Sequence, residues 1–299
     1  MGRSPRCGRP IRVSAAEKYD ACRAVSRFHQ RVEKDAAVPV NFGSGWDSVA
    51  TLVDGRWVDR RPRRVEVAGR LRMETQLMPW LAARLPLAVP EPRIAAVEPL
   101  VVRHALVAGE PIDTLSADNG FVLGRFLRAL HAVDLAAAVA HGLPTARETA
   151  RDRDETVARF RSEVTPLLPA PHRAAATNLL DAIGGLPADT VVHGDVGPEH
   201  VLCTDERLTG VIDFSDAHAG DPAIDLAWVL HATPHEFSCA AARAYGVTRH
   251  LRERAFRWHQ LGPWYEVLHG LDHDEPAEVR SGLDGVLRRL TGVQFRCAP

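Results

Sequence analysis

Val191-Val192-His193-Gly194-Asp195-Val196-Gly197-Pro198-Glu199-His200-Val201-Leu202, followed by Val211-Ile212-Asp213-Phe214, contains the two short apolar runs on which the reading of this chain turns. Each run has β-type composition and delivers an aspartate to a turn, Asp213 standing eighteen residues after Asp195. Carboxylates placed in this way suit phosphoryl transfer. One can orient an attacking hydroxyl and accept its proton, while the other holds the magnesium ion that bridges nucleotide phosphates. The run Thr209-Gly210-Val211-Ile212 reads as a buried strand, and an ionised carboxylate at its end is costly unless paired, a divalent cation being a natural partner. Asp195 is therefore the expected catalytic group and Asp213 the expected magnesium ligand. His193 reads as a brace for the loop.

Downstream, Gly220-Asp221-Pro222-Ala223-Ile224-Asp225-Leu226 leads into a helical pattern, and Asp221 and Asp225 are expected to tie the loop to that helix start. With this third element in place, the chain resembles the aminoglycoside phosphotransferase family over most of residues 40 to 290. The resemblance implies an α+β, bilobal, protein-kinase-like fold with a small, mainly β N-terminal lobe and a larger, mainly α C-terminal lobe. It further implies magnesium-dependent transfer of the γ-phosphate of ATP or GTP to a hydroxyl of an aminoglycoside, conferring resistance. A kinase of a macrolide, another natural product or a small metabolite is the alternative, as is a catalytically silent nucleotide-binding relative.

Two positions depart from the family's pattern. Most of the family has asparagine where this chain has His200; His200 is a second candidate metal ligand beside Asp213, the alternative being a hydrogen-bonded loop histidine, since imidazole is a poorer magnesium ligand than oxygen, although macrolide phosphotransferases are among the relatives that resemble this chain there. Where the family has a strand lysine gripping phosphates, alignment of Trp57-Val58-Asp59-Arg60-Arg61-Pro62-Arg63-Arg64 puts Arg60, with Glu74 as its ion-pair partner. Arginine keeps the charge but presents a wider, forked head. Arg61, Arg63 and Arg64 read as a solvated basic loop.

Ahead of these lies Asn41-Phe42-Gly43-Ser44-Gly45-Trp46-Asp47-Ser48, where Gly43, Ser44 and Gly45 are candidates for a loop whose backbone amides meet phosphates. Asp54-Gly55 between Val49–Val53 and Arg56–Val58 predicts a tight hairpin. Helical spacing is read at 15–29, 66–85, 119–133, 155–168 and 172–183, with two strands across 93–108 and a loop over 142–153. Gly109-Glu110-Pro111-Ile112 marks the expected crossing between lobes, giving a tail (1–12), a nucleotide-binding lobe (13–108) and a catalytic and acceptor-binding lobe (109–299).

The acceptor is expected to meet acids of the C-terminal lobe: Glu199, Asp216, Glu236, Asp272, Asp274 and Glu275, a set suited to a polycation. The 299-residue chain has a formal net charge of −1, which gives no sign of nucleic-acid binding, and no apolar run long enough to span a bilayer. Its five cysteines are scattered without a CxxC pair, so zinc is not expected, reduced thiols are, and the cytoplasm is the expected location. The pairs His231/His235 and His269/His273 lack a third ligand. The expected partners are a nucleotide and a small antibiotic, with no nucleic acid or membrane, in a monomer or weak dimer.

Overall fold

The computed structural model describes residues 40–44 and 48–292. The expected tail, the opening helix at 15–29 and Gly45 lie outside the described residues.

Strands β1 (Val40–Ser44), β2 (Ser48–Val53), β3 (Trp57–Pro62), β4 (Arg93–Val97) and β5 (Leu100–Ala105) form one antiparallel sheet in the order β1-β2-β3-β5-β4. Asp54, Gly55 and Arg56 join β2 to β3; Asp54 and Gly55 have positive φ (53° and 64°), closing a tight turn in which the Arg56 N–H donates to the Val53 carbonyl. Helix α1 (Val65–Ala82) crosses from this sheet to the rest of the molecule. Its first half packs Val67 and Leu71 on Leu100 and Val102 of β5, while Leu77, Met78 and Leu81 enter the main core. One helix thereby couples the sheet to the helical region.

That core is helical: α2 (Ala117–His131), α3 (Leu135–Ala140), α4 (Ala146–Arg159), α5 (Ala170–Gly184), α6 (Leu226–His231), α7 (His235–Tyr245), α8 (Arg249–Asp272) and α9 (Pro276–Thr291). Gly120 and Gly124 of α2 let it approach the α7 backbone closely, since a Cβ at either would collide with the Phe237 or Ala241 carbonyl. Between helices lie the short strands that carry the aspartates: β6 (Glu110–Pro111), β8 (Val201–Thr204) and β9 (Arg207–Val211) in one small sheet, β7 (Thr190–Val192) and β10 (His218–Gly220) in another.

Of the stretch 142–153 expected to be a loop, residues 142–145 are one, while 146–153 form the start of α4. Thr145 accepts from the Glu148 N–H while Glu148 accepts from the Thr145 N–H, a reciprocal cap that satisfies two end-of-helix donors. The T-x-x-E spacing was present in the sequence, but the polar composition of this stretch hid its helical character. After Arg159 the helix widens into a π turn (160–164) and a 3₁₀ turn (165–167). Cys203 is free and buried, whereas Cys239 is disulfide-bonded, which corrects the expectation of reduced thiols at that position. No helix among the described residues is long and apolar enough to cross a membrane.

Candidate active site

Strand β3 places Arg60 in the interior, 7% exposed, facing α1 and the β9 end. Its Nη1 donates to both oxygens of Glu74 (3.0 and 2.9 Å), its Nη2 to Asp213 Oδ1 (3.2 Å) and its Nε to Ser48 Oγ (3.2 Å). The sequence-expected pair of Arg60 and Glu74 is thus brought together with Asp213. Burial, opposed by Arg60, pushes the Glu74 carboxyl up to about 7. Arg61, Arg63 and Arg64 are exposed, in keeping with a solvated basic stretch.

Asp213 follows β9 in a left-handed conformation (φ 65°), which short polar side chains tolerate better than most. Ser215 Oγ donates to its Oδ1 at 2.7 Å. Burial alone would raise this carboxyl, but Arg60, then His200 and the Ser215 hydrogen bond, outweigh it and hold the group well below the usual carboxylate range.

The loop from β7 to β8 is held from beneath. Asp225, fully buried, accepts the His193 and Gly194 backbone N–H groups (2.8 and 2.9 Å) and His131 Nε2 (2.9 Å), while His131 Nδ1 meets the Tyr245 hydroxyl at 2.8 Å. His193 Nδ1 accepts from the Asp195 N–H, so its Nε2 carries the proton and donates to the Ile212 carbonyl. Gly194 has φ 89°, and a Cβ there would collide with the Asp216 carbonyl. His193 and Asp225 hold the loop's backbone, as read from the sequence; Asp221 accepts the Ala223 N–H in the turn leading into α6 (3.1 Å) and also pins α8, accepting from Arg254 and from the Trp258 indole at 3.1 Å. His131 and Tyr245 were missed, because residues 94 and 114 apart leave no local signal.

Asp195 opens to the cleft at the tip of this loop. Desolvation, with Asp216 and Glu199 nearby, raises its carboxyl, against the pull of His200. His200 stands between the two aspartates: Nδ1 donates to the Asp195 carbonyl (2.8 Å) and lies 3.5 Å from its carboxylate, and Nε2 is 3.8 Å from Asp213 Oδ2.

A cavity of about 400 Å³ lies between α1, α4, α8 and residues 215–221; neither Asp195 nor Asp213 lines it, Asp213 adjoining it through Ser215. Asp216 lines it and is paired across the lobes with Arg70 of α1 at 2.8 Å, a contact the sequence did not reveal. Glu199, Glu236, Asp272, Asp274 and Glu275, the other expected acceptor acids, are not among its lining residues. Asp272 is taken by Arg159 (2.6 Å), and Glu236 sits in the first turn of α7. Trp264 is core, while Trp258 and Tyr265 line the cavity. Among the described residues no group of three or more His, Cys, Asp or Glu side chains could hold a metal by itself. Gly43 and Ser44 lie on β1, where Ser44 pairs with Val49 past an irregular register.

A family model described as "Phosphotransferase enzyme family" matches residues 40–264, the span holding Arg60, Glu74, Asp195, His200, Asp213 and Asp225. The chain belongs to this family. Among solved structures it is similar to the GDP and kanamycin complex of APH(2″)-IIIa, with a TM-score of 0.75 at 21% identity over 89% of this chain and 97% of that one. It is likewise similar to the macrolide 2′-phosphotransferase MphH from Brachybacterium faecium, with a TM-score of 0.67 at 26% identity over 93% of this chain and all of that one. These likenesses bear out the kinase-like α+β fold. Viomycin phosphotransferase of Streptomyces vinaceus is 38% identical over 84 residues, 26% of this chain and 29% of that protein. An uncharacterised protein of Bacillus subtilis (strain 168), YcbJ, is 28% identical over 202 residues, 59% of this chain and 62% of that protein. The chain therefore matches less than two thirds of the length of these curated relatives.

Proposed function

We propose that this phosphotransferase moves the γ-phosphate of ATP or GTP to a hydroxyl of an antibiotic of the aminoglycoside or macrolide type, with the nucleotide held between a lobe of residues 13–108 and one of residues 109–299. The observation that carries the reading is the ionic chain Glu74–Arg60–Asp213, with His200 linking Asp213 toward Asp195. Arg60, aimed by Glu74, would bind the nucleotide phosphates through its fork of N–H groups. Gly43, Ser44 and Gly45 would lie over them. Asp195 would align the acceptor hydroxyl and accept its proton, a role in which position contributes more than basicity.

The donor set fits magnesium only as a shared ion. Asp213 offers a hard carboxylate oxygen, no all-protein cage exists among the described residues, and magnesium characteristically combines one or two carboxylates with phosphates and water. Asp213 would hold it, with His200 orienting the carboxylate rather than replacing an oxygen ligand. The bound ion would neutralise charge on the phosphates.

Donor interchangeability and resistance provide the test. Purified chain with magnesium and either ATP or GTP is expected to consume nucleotide when an antibiotic acceptor is added, and cells expressing it to survive that antibiotic. Nucleotide binding without consumption, across aminoglycosides and macrolides alike, would instead identify a silent relative.

A further inference from the structure

Helix α1 turns two ionic side chains toward one short segment, residues 213–216. Arg70 and Glu74 stand four residues apart, about one helical turn, and so share a face. From that face Glu74 reaches Asp213 through Arg60, and Arg70 reaches Asp216 directly at 2.8 Å. The two carboxylates so addressed are themselves joined. Ser215 Oγ donates to Asp213 Oδ1 at 2.7 Å, and the Ala217 N–H closes a turn on the Phe214 carbonyl at 3.0 Å. Asp216 also rests on the loop that carries Asp195: its carbonyl packs on Gly194 so closely that a Cβ there would not fit, and His218 Nδ1 donates to the same oxygen at 2.7 Å. Asp213 has a positive φ of 65°, a backbone state that a residue other than glycine keeps only when its surroundings hold it. The Arg70–Asp216 pair is half-exposed (53% and 44%), so it adds little to folding. What it can do is fix where the segment lies against α1.

We propose that Arg70 is a positioning residue for phosphoryl transfer: it straps Asp216 to the face of α1 that carries Glu74, and so holds the Asp213 carboxylate in register with the Arg60 fork. The oxygen that would meet the metal and the N–H groups that would meet the phosphates then form one surface before the nucleotide arrives, and none of the ordering has to be supplied on binding. Because the Asp216 carbonyl lies on Gly194, the same strap bears on the loop that presents Asp195. This rests on the phosphotransferase reading above and adds to it a residue outside the ionic chain Glu74–Arg60–Asp213.

The test uses the full chain and the non-hydrolysable probes AMP-PNP and GMP-PNP, titrated calorimetrically with and without magnesium, together with hydrogen exchange of the free chain. Arg70→Ala and Asp216→Asn should each weaken the magnesium-loaded probe about three- to fivefold, the range open to a half-exposed ion pair, with the melting temperature little changed. The metal-free probe should lose less, since it does not engage Asp213. The double variant should bind no more weakly than either single one, because both remove the same contact. Arg70→Lys, which keeps a donor toward Asp216, should lose less than Arg70→Ala. Arg72→Ala, which removes an exposed charge from the same helix, should bind as wild type does. In the free chain, Arg70→Ala should speed exchange at residues 213–218 and leave β2 and β3 unchanged. Wild-type affinity and exchange in both single variants, losses that multiply in the double variant, or an equal loss at Arg72 would overturn the proposal. Failure of the wild-type chain to bind either probe would overturn the phosphotransferase reading itself, with the exchange rates at 213–218 still deciding whether the strap exists.

Discussion

At Arg60 a single side chain joins three elements: β3 carries it, α1 supplies Glu74 and the end of β9 supplies Asp213. Replacing it with alanine removes the charge proposed to meet the phosphates and leaves Glu74, 2% exposed, without the partner that offsets its burial. Arg60→Ala is therefore expected to raise the nucleotide KM at least tenfold and to lower the melting temperature, with Arg60→Lys intermediate. Arg63→Ala and Arg64→Ala, at exposed positions where an ion pair is worth about 0–1 kcal/mol, should change the nucleotide KM less than twofold. Steady-state kinetics on the four variants decide the matter, and equal effects at all three positions would mean that Arg60 does not face the phosphates. Asp213 was legible from its own short motif, whereas Arg60 and Glu74 were legible only through the family resemblance. His131 and Tyr245 were not legible, since what marks them is the chain of contacts from Asp225 to His131 and from His131 to Tyr245, made only when α2, α6 and α7 pack together.

Individual elements show where composition misleads. The stretch 146–159 is so polar that it reads as loop, yet Thr145 and Glu148 close a capping box and Val157 and Phe160 anchor its far end in the core. Thr145→Ala should cost about 0.5–2 kcal/mol, the usual range for a lost N-cap, seen as a lower urea midpoint with an unchanged slope. An unaltered midpoint would show that the cap is dispensable. Where α6 meets α8, His231 and His259 lie 5.8 Å apart by ring centre. Burial pushes His231 down to about 4, and burial together with Arg289 pushes His259 down to about 3. The unfolded chain takes up a proton at each ring as pH falls through 6.5, whereas the folded chain does so only near those lower values. Their contribution to stability is thus complete above pH 6.5 and drains away as pH falls toward 4. Glu74, raised from 4.5 to about 7, works in the opposite sense over part of that window, so the comparison has to be a difference between proteins. His259→Gln should lose less stability than wild type between pH 7 and pH 5 in matched urea titrations; parallel losses would remove His259 from the acid response.

On the scale of the whole molecule, a strand-rich region and a helical region share α1 and meet at Arg60, Asp213 and the Arg70–Asp216 pair. The order of motifs announced this architecture, since strand, hairpin, helix and the two aspartate turns occur in the sequence in the order in which the fold uses them. The acceptor side was less legible. Acids between Glu236 and Glu275 look alike in a sequence whether they face a cleft or pair with neighbours, and only packing distinguishes Asp272 on Arg159 from Asp216 at the cavity. The central claim is that nucleotide phosphate reaches an acceptor hydroxyl under the control of Asp195. Its most direct measurement is transfer of labelled γ-phosphate to an antibiotic acceptor by wild type and by Asp195→Asn, with nucleotide affinity measured on both. A positioning base typically contributes about 10²–10⁴-fold, so Asp195→Asn should lower kcat by at least a hundredfold while nucleotide affinity stays within about twofold. Near wild-type transfer by Asp195→Asn would contradict the account.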